Sequence, residues 1–444
     1  MNINKVIYDF EEFQSKMEEL VKKSNGMLKE HNNSWITECG LPIKHYSIGS
    51  GKKHIVILGA YHGLEIISTE FLVYTINDII NKKDDYKDIF KQYTLDFIPV
   101  VNPEGYIITT TAIRKVISRE SNLKEVELIA KKFTEAYKKD EKIEISRKEK
   151  GLQTDNESLK EYQKMFENVT YNDIPDKYLK IKKKLKELYE KFNIPKGTMI
   201  SWAANANGID LNANTKYNRH LNDIKDNKDL YLSLRYSNIK YSTPGPMNCP
   251  WNKENDFKLE KENTYIWNYL EDLYLKNELT AIFNYHSAGA LIDHRPSEIA
   301  DDLKDRNINL QKQSLNNYVL AKIYQSETYS DKNNPKGTSY TLLNDVSEIG
   351  TQNGLYRTIY PLDILIELSS IVANPLGPYS DLENDYQSTM ESNFNALIKS
   401  IRNIDKAKEI TENIYNQLKN QGINDEDFIE YGYDLIDSYI KDHI

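Results

Sequence analysis

The sequence contains little that could hold it together covalently. Only two of its 444 residues are cysteine, Cys39 and Cys249, and they do not form a Cys-x-x-Cys pair. A disulfide scaffold or a cysteine-based zinc cluster is therefore not expected, and so few cysteines are typical of a reducing compartment. The amino terminus lacks a charged segment followed by an apolar one, so no secretory signal is recognised. Together these features predict a cytoplasmic protein.

Long apolar runs and an excess of positive charge are also missing. No segment approaches the roughly 20 apolar residues that a transmembrane helix needs, so no membrane partner is expected. The 58 lysines and arginines are outnumbered by 67 aspartates and glutamates, which gives a formal net charge of −9. That balance argues against a nucleic-acid-binding protein. The length is unusual for a single domain, although large α/β enzymes do occur as one unit.

A histidine and a glutamate follow the first predicted core strand. The apolar run His54–Ala60 is typical of a buried strand, and a helix is expected over about residues 66–81. His62 and Glu65 lie between them, three residues apart, so their side chains can converge where the chain turns from strand to helix. A His-x-x-Glu pair occurs by chance in many chains, so it is weak evidence alone.

A second histidine and a second glutamate lie in or just after two further predicted strands. His286 follows the strand-like run 281–285, and Glu367 lies within the apolar run Asp363–Leu368. Ligands of open α/β sheets bind beyond the carboxyl ends of the strands, so these side chains are expected near one another. A carboxylate among aliphatic residues is costly unless it has a partner or a chemical task. The structural alternative for Glu367 is a buried ion pair with an arginine.

These side chains suit one kind of chemistry. Two imidazoles and one carboxylate can hold a zinc ion and leave its fourth position open to water. A further carboxylate can take a proton from that water as it attacks a carbonyl group. The set therefore indicates a zinc-dependent peptidase or amidase with one zinc ion. Five other histidines belong to no recognisable motif: His31, His45, His54, His220 and His443.

Five motifs extend this pattern over about residues 40–400. They are His62-x-x-Glu65, Asn102-Pro-Glu-Gly-Tyr106, Gly208-Ile-Asp-Leu-Asn212, His286-Ser287 and Ile366-Glu-Leu368. In type and order they resemble the zinc carboxypeptidases related to carboxypeptidase A. The longer string Trp202–Asn212 is similar to the bacterial branch that cleaves γ-D-glutamyl–diamino acid bonds in cell-wall peptides. The resemblance implies an α/β fold, in which helices flank a central mixed, twisted sheet with the metal at the carboxyl ends of its strands.

The same resemblance implies a role for each motif residue. Three residues are the expected zinc ligands: His62, Glu65 and His286. Glu367 is the expected general base, and Asn212 and Ser287 are expected to bind substrate. The position after Asn212 is normally arginine in true carboxypeptidases, but here it is Ala213. Losing that bidentate partner for a carboxylate argues for a specialised substrate.

Two further roles stay open. The family's arginine that polarises the scissile carbonyl has two candidates, and Arg114 is preferred to Arg119 because the chain from Ser121 onward looks like an inserted helix. Arg219 and Arg295 are candidates to replace the cation missing at position 213. The mobile tyrosine expected upstream of the base has three candidates: Tyr340, Tyr356 and Tyr360.

The chain divides into a predicted catalytic domain, residues 1–403, and a C-terminal helical extension, residues 404–444. A lysine- and glutamate-rich insertion over about residues 119–199 carries apolar residues at helical spacing. It is either a lid beside the active site or a solvated helical hairpin, and the hairpin is slightly favoured because nothing in it carries chemistry. Residues 8–24 predict a short N-terminal helix, and Asn102–Gly105 predicts a tight turn.

Three classes of function remain open. The leading hypothesis is a cytoplasmic zinc peptidase acting on peptidoglycan-derived peptides. A metallocarboxypeptidase of ordinary peptides and a deacylase of N-acyl amino acids are the enzymatic alternatives, since both use the same zinc chemistry. A non-catalytic binding protein on the same fold is the third, and the complete set of ligands and base counts against it.

Overall fold

A computed structural model describes residues 5–149, 164–192, 194, 196–212, 214, 259–296, 309–328, 339–343, 352–371, 375–424 and 427–443. Eight strands of these residues form one sheet. They are β1 (Leu28–His31), β2 (His45–Gly49), β3 (Lys53–Gly59), β4 (Tyr93–Ile98), β5 (Leu279–Ser287), β6 (Leu291–Asp293), β7 (Thr341–Leu343) and β8 (Asp363–Leu368). Their order across the sheet is β1-β2-β4-β3-β5-β8-β6-β7.

Helices cover both faces of the sheet. They are α1 (Phe10–Lys23), α2 (Ile66–Asn81), α3 (Lys87–Gln92), α4 (Pro103–Arg114), α5 (Leu123–Glu149), α6 (Leu179–Phe192), α7 (Lys261–Leu275), α8 (Leu310–Thr328), α9 (Gln352–Ile359), α10 (Gln387–Arg402), α11 (Ile404–Asn420) and α12 (Phe428–His443). Among the described residues, no helix is both long enough and apolar enough to cross a membrane.

The centre of the sheet is parallel and buried on both faces. Strands β4, β3, β5 and β8 run parallel, whereas β1 and β2 add an antiparallel edge and β6 pairs antiparallel with β8. Along β3, Ile55 and Ile57 face one apolar core and Val56 and Leu58 face the other, as the period of two in a strand requires. Parallel strands that are covered on both faces have continuous apolar sequences, as these strands do. The structure thus confirms the predicted α/β sheet.

The region that leads into the predicted site follows the sequence closely. β3 ends at Gly59, and α2 begins at Ile66 and ends at Asn81, as its apolar pattern predicts. Most residues of α2 are buried, which is typical of a helix packed between a sheet and other helices. Glu65 is the residue immediately before its first turn.

Asn102-Pro-Glu-Gly105 starts a helix instead of forming an isolated tight turn. The side chain of Asn102 caps α4, because its Oδ1 accepts a hydrogen bond from the backbone of Gly105 at 2.8 Å. Pro103 occupies the first turn, where the missing N–H would have no partner in the helix. The Asn-Pro pair therefore marks a capped helix start, and the predicted tight turn is wrong.

The described helices of the insertion pack one face against the rest of the protein. Phe133 of α5 and Phe166 contact each other edge to face with ring centroids 5.3 Å apart, and both are buried. Leu185 of α6 is fully buried, and Tyr189 of the same helix stacks on Trp202 with ring planes 6° apart. These helices are therefore buried on one face and exposed to solvent on the other.

The C-terminal helices extend the core of the catalytic part. Tyr433 of α12 stacks on Tyr318 of α8 with ring centroids 3.9 Å apart, and the Tyr318 hydroxyl donates to Asp437 at 2.9 Å. Gly432 lies so close to α8 that an added Cβ would stand 2.4 Å from Leu315 Cδ2. Helices α11 and α12 thus pack against α8 through buried side chains.

Candidate metal centre

Two histidines and one glutamate meet beyond the carboxyl end of β3. His62 Nδ1 lies 2.7 Å from Glu65 Oε1, and His286 Nδ1 lies 3.0 Å from Glu65 Oε2. One potential ligand atom from each residue lies within 4.8 Å of the others. The two imidazole rings approach edge to face with centroids 5.0 Å apart. The structure therefore brings together the three side chains that the sequence assigned to a metal.

The turn from β3 to α2 depends on close contact between backbones. A Cβ on Gly63 would lie 2.2 Å from the carbonyl carbon of Gly105, and one on Gly105 would lie 2.4 Å from the oxygen of Ala204. The Asn102 amide donates to the carbonyl oxygens of Tyr61 and Ala203, both at 3.1 Å. Three segments of chain are thereby held against one another beside His62.

Side chains around the cluster orient the two imidazoles. Asp210 Oδ1 lies 3.3 Å from His62 Nε2, the ring nitrogen that faces away from Glu65. Tyr61 stacks on His286 with ring planes 5° apart, and its hydroxyl pairs with that of Tyr356 at 2.7 Å. The sequence analysis named Asp210 only as part of the Gly-Ile-Asp-Leu-Asn motif and gave it no role. Its position two residues before Asn212 is the signal that could have revealed its contact with His62.

The electrostatics of the cluster favour an ionised glutamate. Burial raises the pKa of Glu65, but His62 and His286 beside it overcome that effect and hold the pKa below its ordinary value. Its place at the amino end of α2 also favours negative charge. Burial lowers the pKa of His62, and Glu65 and Asp210 reverse this so that the pKa lies well above its ordinary value.

The cluster fits a zinc ion by its donor atoms and by an unsatisfied oxygen. Two nitrogens and one carboxylate form a ligand set that zinc uses in catalytic sites. Glu65 Oε2 is buried and accepts no hydrogen bond from the described residues, even though it faces His286. A buried carboxylate oxygen without a donor, between two imidazoles, is the arrangement that a bound cation completes. The side chain of His62 is 18% exposed and that of His286 only 1%, so the cluster opens to solvent on the His62 side.

Glu367 lies on the strand next to His286. Strands β5 and β8 are parallel and pair His286 directly with Glu367, so the two side chains leave the sheet on the same face. Paired strands are about 4.8 Å apart. Glu367 is also partly exposed, whereas the other residues of β8 are buried. This is the placement expected of a carboxylate that acts beside a metal.

The two predicted substrate-binding residues of the motifs lie in the same region. The backbone N–H of Asn212 donates to Asp210 Oδ1 at 2.9 Å. Asn212 therefore belongs to the same turn as Asp210, the residue that contacts His62. Ser287 ends β5, directly after His286, and pairs with Leu368. Ala213 and Arg219 lie outside the described residues.

The arginines after the Asn102 motif are not near the cluster. Arg114 is at the carboxyl end of α4, about 16 Å along that helix from its start. Its guanidinium donates to the backbone oxygen of Ile7 and pairs with Glu12 at 2.5 Å. Arg119 pairs with Asp9 at 2.6 Å. Both arginines therefore join α1 to the end of α4, and the structure does not bring either one to the metal cluster.

Arg295 is also directed away from the catalytic edge. Leu291 of β6 pairs with Glu367, and because β6 is antiparallel to β8, the chain moves away from Glu367 as it continues to Arg295. The Arg295 guanidinium lies over the ring of Tyr433, 5.6 Å from its centroid. It contacts α12 and is not placed beside Asn212.

The three candidate tyrosines are fully or almost fully buried. The Tyr340 hydroxyl accepts a hydrogen bond from the backbone of Ser369 at 3.2 Å. Tyr356 pairs with Tyr61, and the Tyr360 hydroxyl donates to Glu271 at 3.4 Å. These contacts give each ring a structural role in the described core, so the structure does not present any of them as a mobile side chain.

Comparisons with known proteins agree with this geometry. A family model described as zinc carboxypeptidase matches residues 36–392. The structure of bovine thrombin-activatable fibrinolysis inhibitor, in complex with tick carboxypeptidase inhibitor, has a TM-score of 0.51 at 12% identity, covering 90% of this chain and 98% of that one. A second structure of thrombin-activatable fibrinolysis inhibitor has a TM-score of 0.52 at 13% identity, covering 90% of this chain and 75% of that one. At such identities the likeness shows the fold alone. No curated protein matches the sequence.

Proposed function

Because this chain belongs to the zinc carboxypeptidase family and is a zinc metallopeptidase, we propose that it hydrolyses an amide bond in peptidoglycan-derived peptides, between γ-D-glutamate and a diamino acid. The placement of Glu367 beside His286, next to the cluster formed with His62 and Glu65, carries the hydrolytic part of the proposal. The substrate class is supported by the resemblance of the string Trp202–Asn212 to the bacterial branch that acts on this bond.

Each residue of the proposed site has its own role in the reaction. His62, Glu65 and His286 hold the metal, and Asp210 keeps the His62 ring in one orientation. When bound, zinc supplies Lewis acidity, which polarises a carbonyl group and lowers the pKa of water. Glu367 accepts a proton from the attacking water and delivers it to the leaving amine.

The residue after Asn212 supports a specialised substrate. Alanine at position 213 cannot pair with a terminal carboxylate, whereas the arginine usual in true carboxypeptidases binds it through two parallel hydrogen bonds. Nor do Arg114 or Arg295 supply a replacement beside Asn212, since both are held by other elements. The proposed substrate therefore need not present an ordinary C-terminal carboxylate next to Asn212.

A defined wall peptide tests the reaction and the base together. Zinc-loaded protein is incubated with L-Ala-γ-D-Glu-diaminopimelate, with and without a terminal D-Ala, and the products are identified by mass spectrometry. We expect L-Ala-D-Glu to be released. Glu367→Gln should keep its zinc and lose about 10²–10⁴-fold in kcat, the usual contribution of a general base. Glu18→Gln, an exposed change on α1, is the matched control and should leave kcat unaltered.

Other outcomes would select another function. Loss of the terminal D-Ala alone would make the protein an ordinary carboxypeptidase despite Ala213. Hydrolysis of N-acyl amino acids without cleavage of either peptide would make it a deacylase. A Glu367→Gln variant as active as the wild type would remove Glu367 from the proposed role.

A further inference from the structure

A row of polar side chains crosses the antiparallel edge of the sheet, on the face covered by α7. Four neighbouring strands contribute one residue each: His31 from β1, His45 from β2, Asp96 from β4 and His54 from β3. His31 pairs directly with His45, and Ser47 pairs with Asp96. Because side chains alternate along a strand, these registers place the whole row on one face of the sheet. None of its three histidines belongs to the catalytic cluster.

The members of this row contact one another through nitrogen and oxygen atoms. Asp96 lies at its centre and is 1% exposed. Its Oδ1 is 2.9 Å from His45 Nε2, and its Oδ2 is 2.6 Å from His54 Nδ1. His31 and His45 stack with ring centroids 4.2 Å apart. One potential ligand atom from each of His31, His45 and Asp96 lies within 4.8 Å of the other two.

The distance between His45 and Asp96 falls within the range found in the catalytic cluster. There the two nitrogen–oxygen separations are 2.7 and 3.0 Å, and here the His45–Asp96 separation is 2.9 Å. Two imidazoles and one carboxylate again form the set, which suits zinc or a similar transition-metal ion better than magnesium or calcium. His31, His45 and Asp96 thus repeat the donor atoms of the catalytic site on three neighbouring strands.

Each potential ligand also has a partner that can orient it. The side-chain amide of Asn33 lies 3.0 Å from His45 Nδ1, Ser47 Oγ lies 2.8 Å from His31 Nε2, and His54 holds the second oxygen of Asp96. Such outer contacts fix the tautomer and direction of metal ligands. Trp35 stacks on His45 with ring planes 6° apart and covers the site on one side. His31 and His54 are only partly buried and leave an entrance.

We propose that His31, His45 and Asp96 form a second metal site, which binds zinc or a similar divalent transition-metal ion and fastens β1 and β2 to the central strands. His45 and Asp96 bind the ion through Nε2 and Oδ1. The proton of His45 then lies on Nδ1 instead of Nε2, and the Asn33 amide turns over so that its Oδ1 accepts a hydrogen bond from this Nδ1–H. His31 turns from its stacked position to direct a ring nitrogen at the ion, because its 4.2 Å separation from His45 is shorter than the 5.0 Å between His62 and His286.

The number of ions per chain tests this site independently of catalysis. Full-length protein is dialysed against buffered zinc, and bound metal is measured by mass spectrometry. We expect two ions in the wild type and one in His31→Gln, which keeps a polar partner for Ser47. Lys29→Gln, an exposed change on the same strand, should keep two. One ion in the wild type, or two in His31→Gln, would overturn the proposal.

Thermal unfolding and the position of the bound zinc provide a second test. The second equivalent of zinc should raise the thermal midpoint of the wild type, since a ligand of the native state stabilises it, and should not raise that of His31→Gln. If the variant does not fold, anomalous diffraction at the zinc edge from wild-type crystals decides. A peak among His31, His45 and Asp96 supports the site, and a peak at the catalytic cluster alone contradicts it. Peptidase activity in His31→Gln should equal that of the wild type, so failure of this site and failure of the proposed function remain distinguishable.

Discussion

Asp210 contacts His62 on the nitrogen opposite Glu65, and this single contact has a measurable consequence. An outer partner of this kind orients a metal-binding imidazole, and its loss commonly weakens metal affinity about 10–100-fold. We therefore expect Asp210→Ala to raise the dissociation constant for zinc by that factor, measured by competition with a chromogenic chelator. Asp84→Ala, an exposed change in the loop after α2, is the control. Equal zinc affinity in both variants would show that Asp210 does not hold the ring.

Glu70, five residues after Glu65 in sequence, is a buried carboxyl group that joins three parts of the molecule. Its Oε1 accepts a hydrogen bond from the backbone of Tyr8 at 3.1 Å, and its Oε2 accepts one from the Tyr386 hydroxyl at 2.8 Å. Burial raises its pKa from 4.5 to about 7, and the two hydrogen bonds offset only part of that effect. The folded protein therefore keeps Glu70 protonated at pH values where the unfolded chain ionises it.

This pKa predicts a pH dependence of stability with a definite sign. The contribution of Glu70 is fully present below about pH 4.5 and is lost as pH rises through about 7, and the difference between the two pKa values corresponds to about 3 kcal/mol. Glu70→Gln imitates the protonated acid, so its stability relative to the wild type should increase from pH 5 to pH 8. Denaturant unfolding at several pH values measures this difference. A difference that stays constant over this pH range would contradict the prediction.

At the scale of elements, the insertion supplies its own test. Leu185 of α6 is fully buried, so Leu185→Ala should lower the free energy of unfolding by about 2–5 kcal/mol. Glu187→Ala on the exposed face of the same helix should change it by less than about 0.5 kcal/mol. Equilibrium unfolding in denaturant gives both values. Similarly small changes in the free energy of unfolding of the two variants would support a hairpin that is solvated on all sides.

Several elements could be predicted from sequence because their own residues determine them. The bounds of α2 and β8 follow from apolar runs that end at polar residues, and Glu367 stood out because no other charge lies between the ends of its run. The packing of α6 could not be predicted, since it depends on a contact with Trp202, which lies outside the helix. Asn102-Pro suits both a tight turn and a helix cap, and the capping hydrogen bond to Gly105 decided for the helix.

Contacts between distant segments set the limit for the site as well. His62, Glu65 and His286 could be grouped from sequence because each lies at or just beyond the carboxyl end of a strand, where the fold class places ligands. Spacing along the chain could not reveal that Arg114 points to α1, because α4 carries it away from the motif that starts the helix. Nor could it group His31 with Asp96, which requires the register of the sheet.

On the scale of the whole molecule, the C-terminal helices belong to the folding unit. Helices α11 and α12 cover α8 through buried side chains, among them Ile410, Leu418 and Ile436. Removing residues 404–444 would expose that face of α8 to water. We expect the shortened chain to lose cooperative thermal unfolding or to aggregate, as followed by circular dichroism and light scattering. A shortened chain that unfolds at the wild-type midpoint would show that the extension is a separate unit.

The contact between Gly63, Gly105 and Ala204 limits how this enzyme can be altered. A side chain at either glycine would collide with backbone atoms that cannot move without displacing the turn that carries His62. Selection for new substrates, in nature or in a directed-evolution library, must therefore leave both glycines unchanged. Libraries that keep the two glycines should therefore retain a larger share of active members than libraries that randomise them.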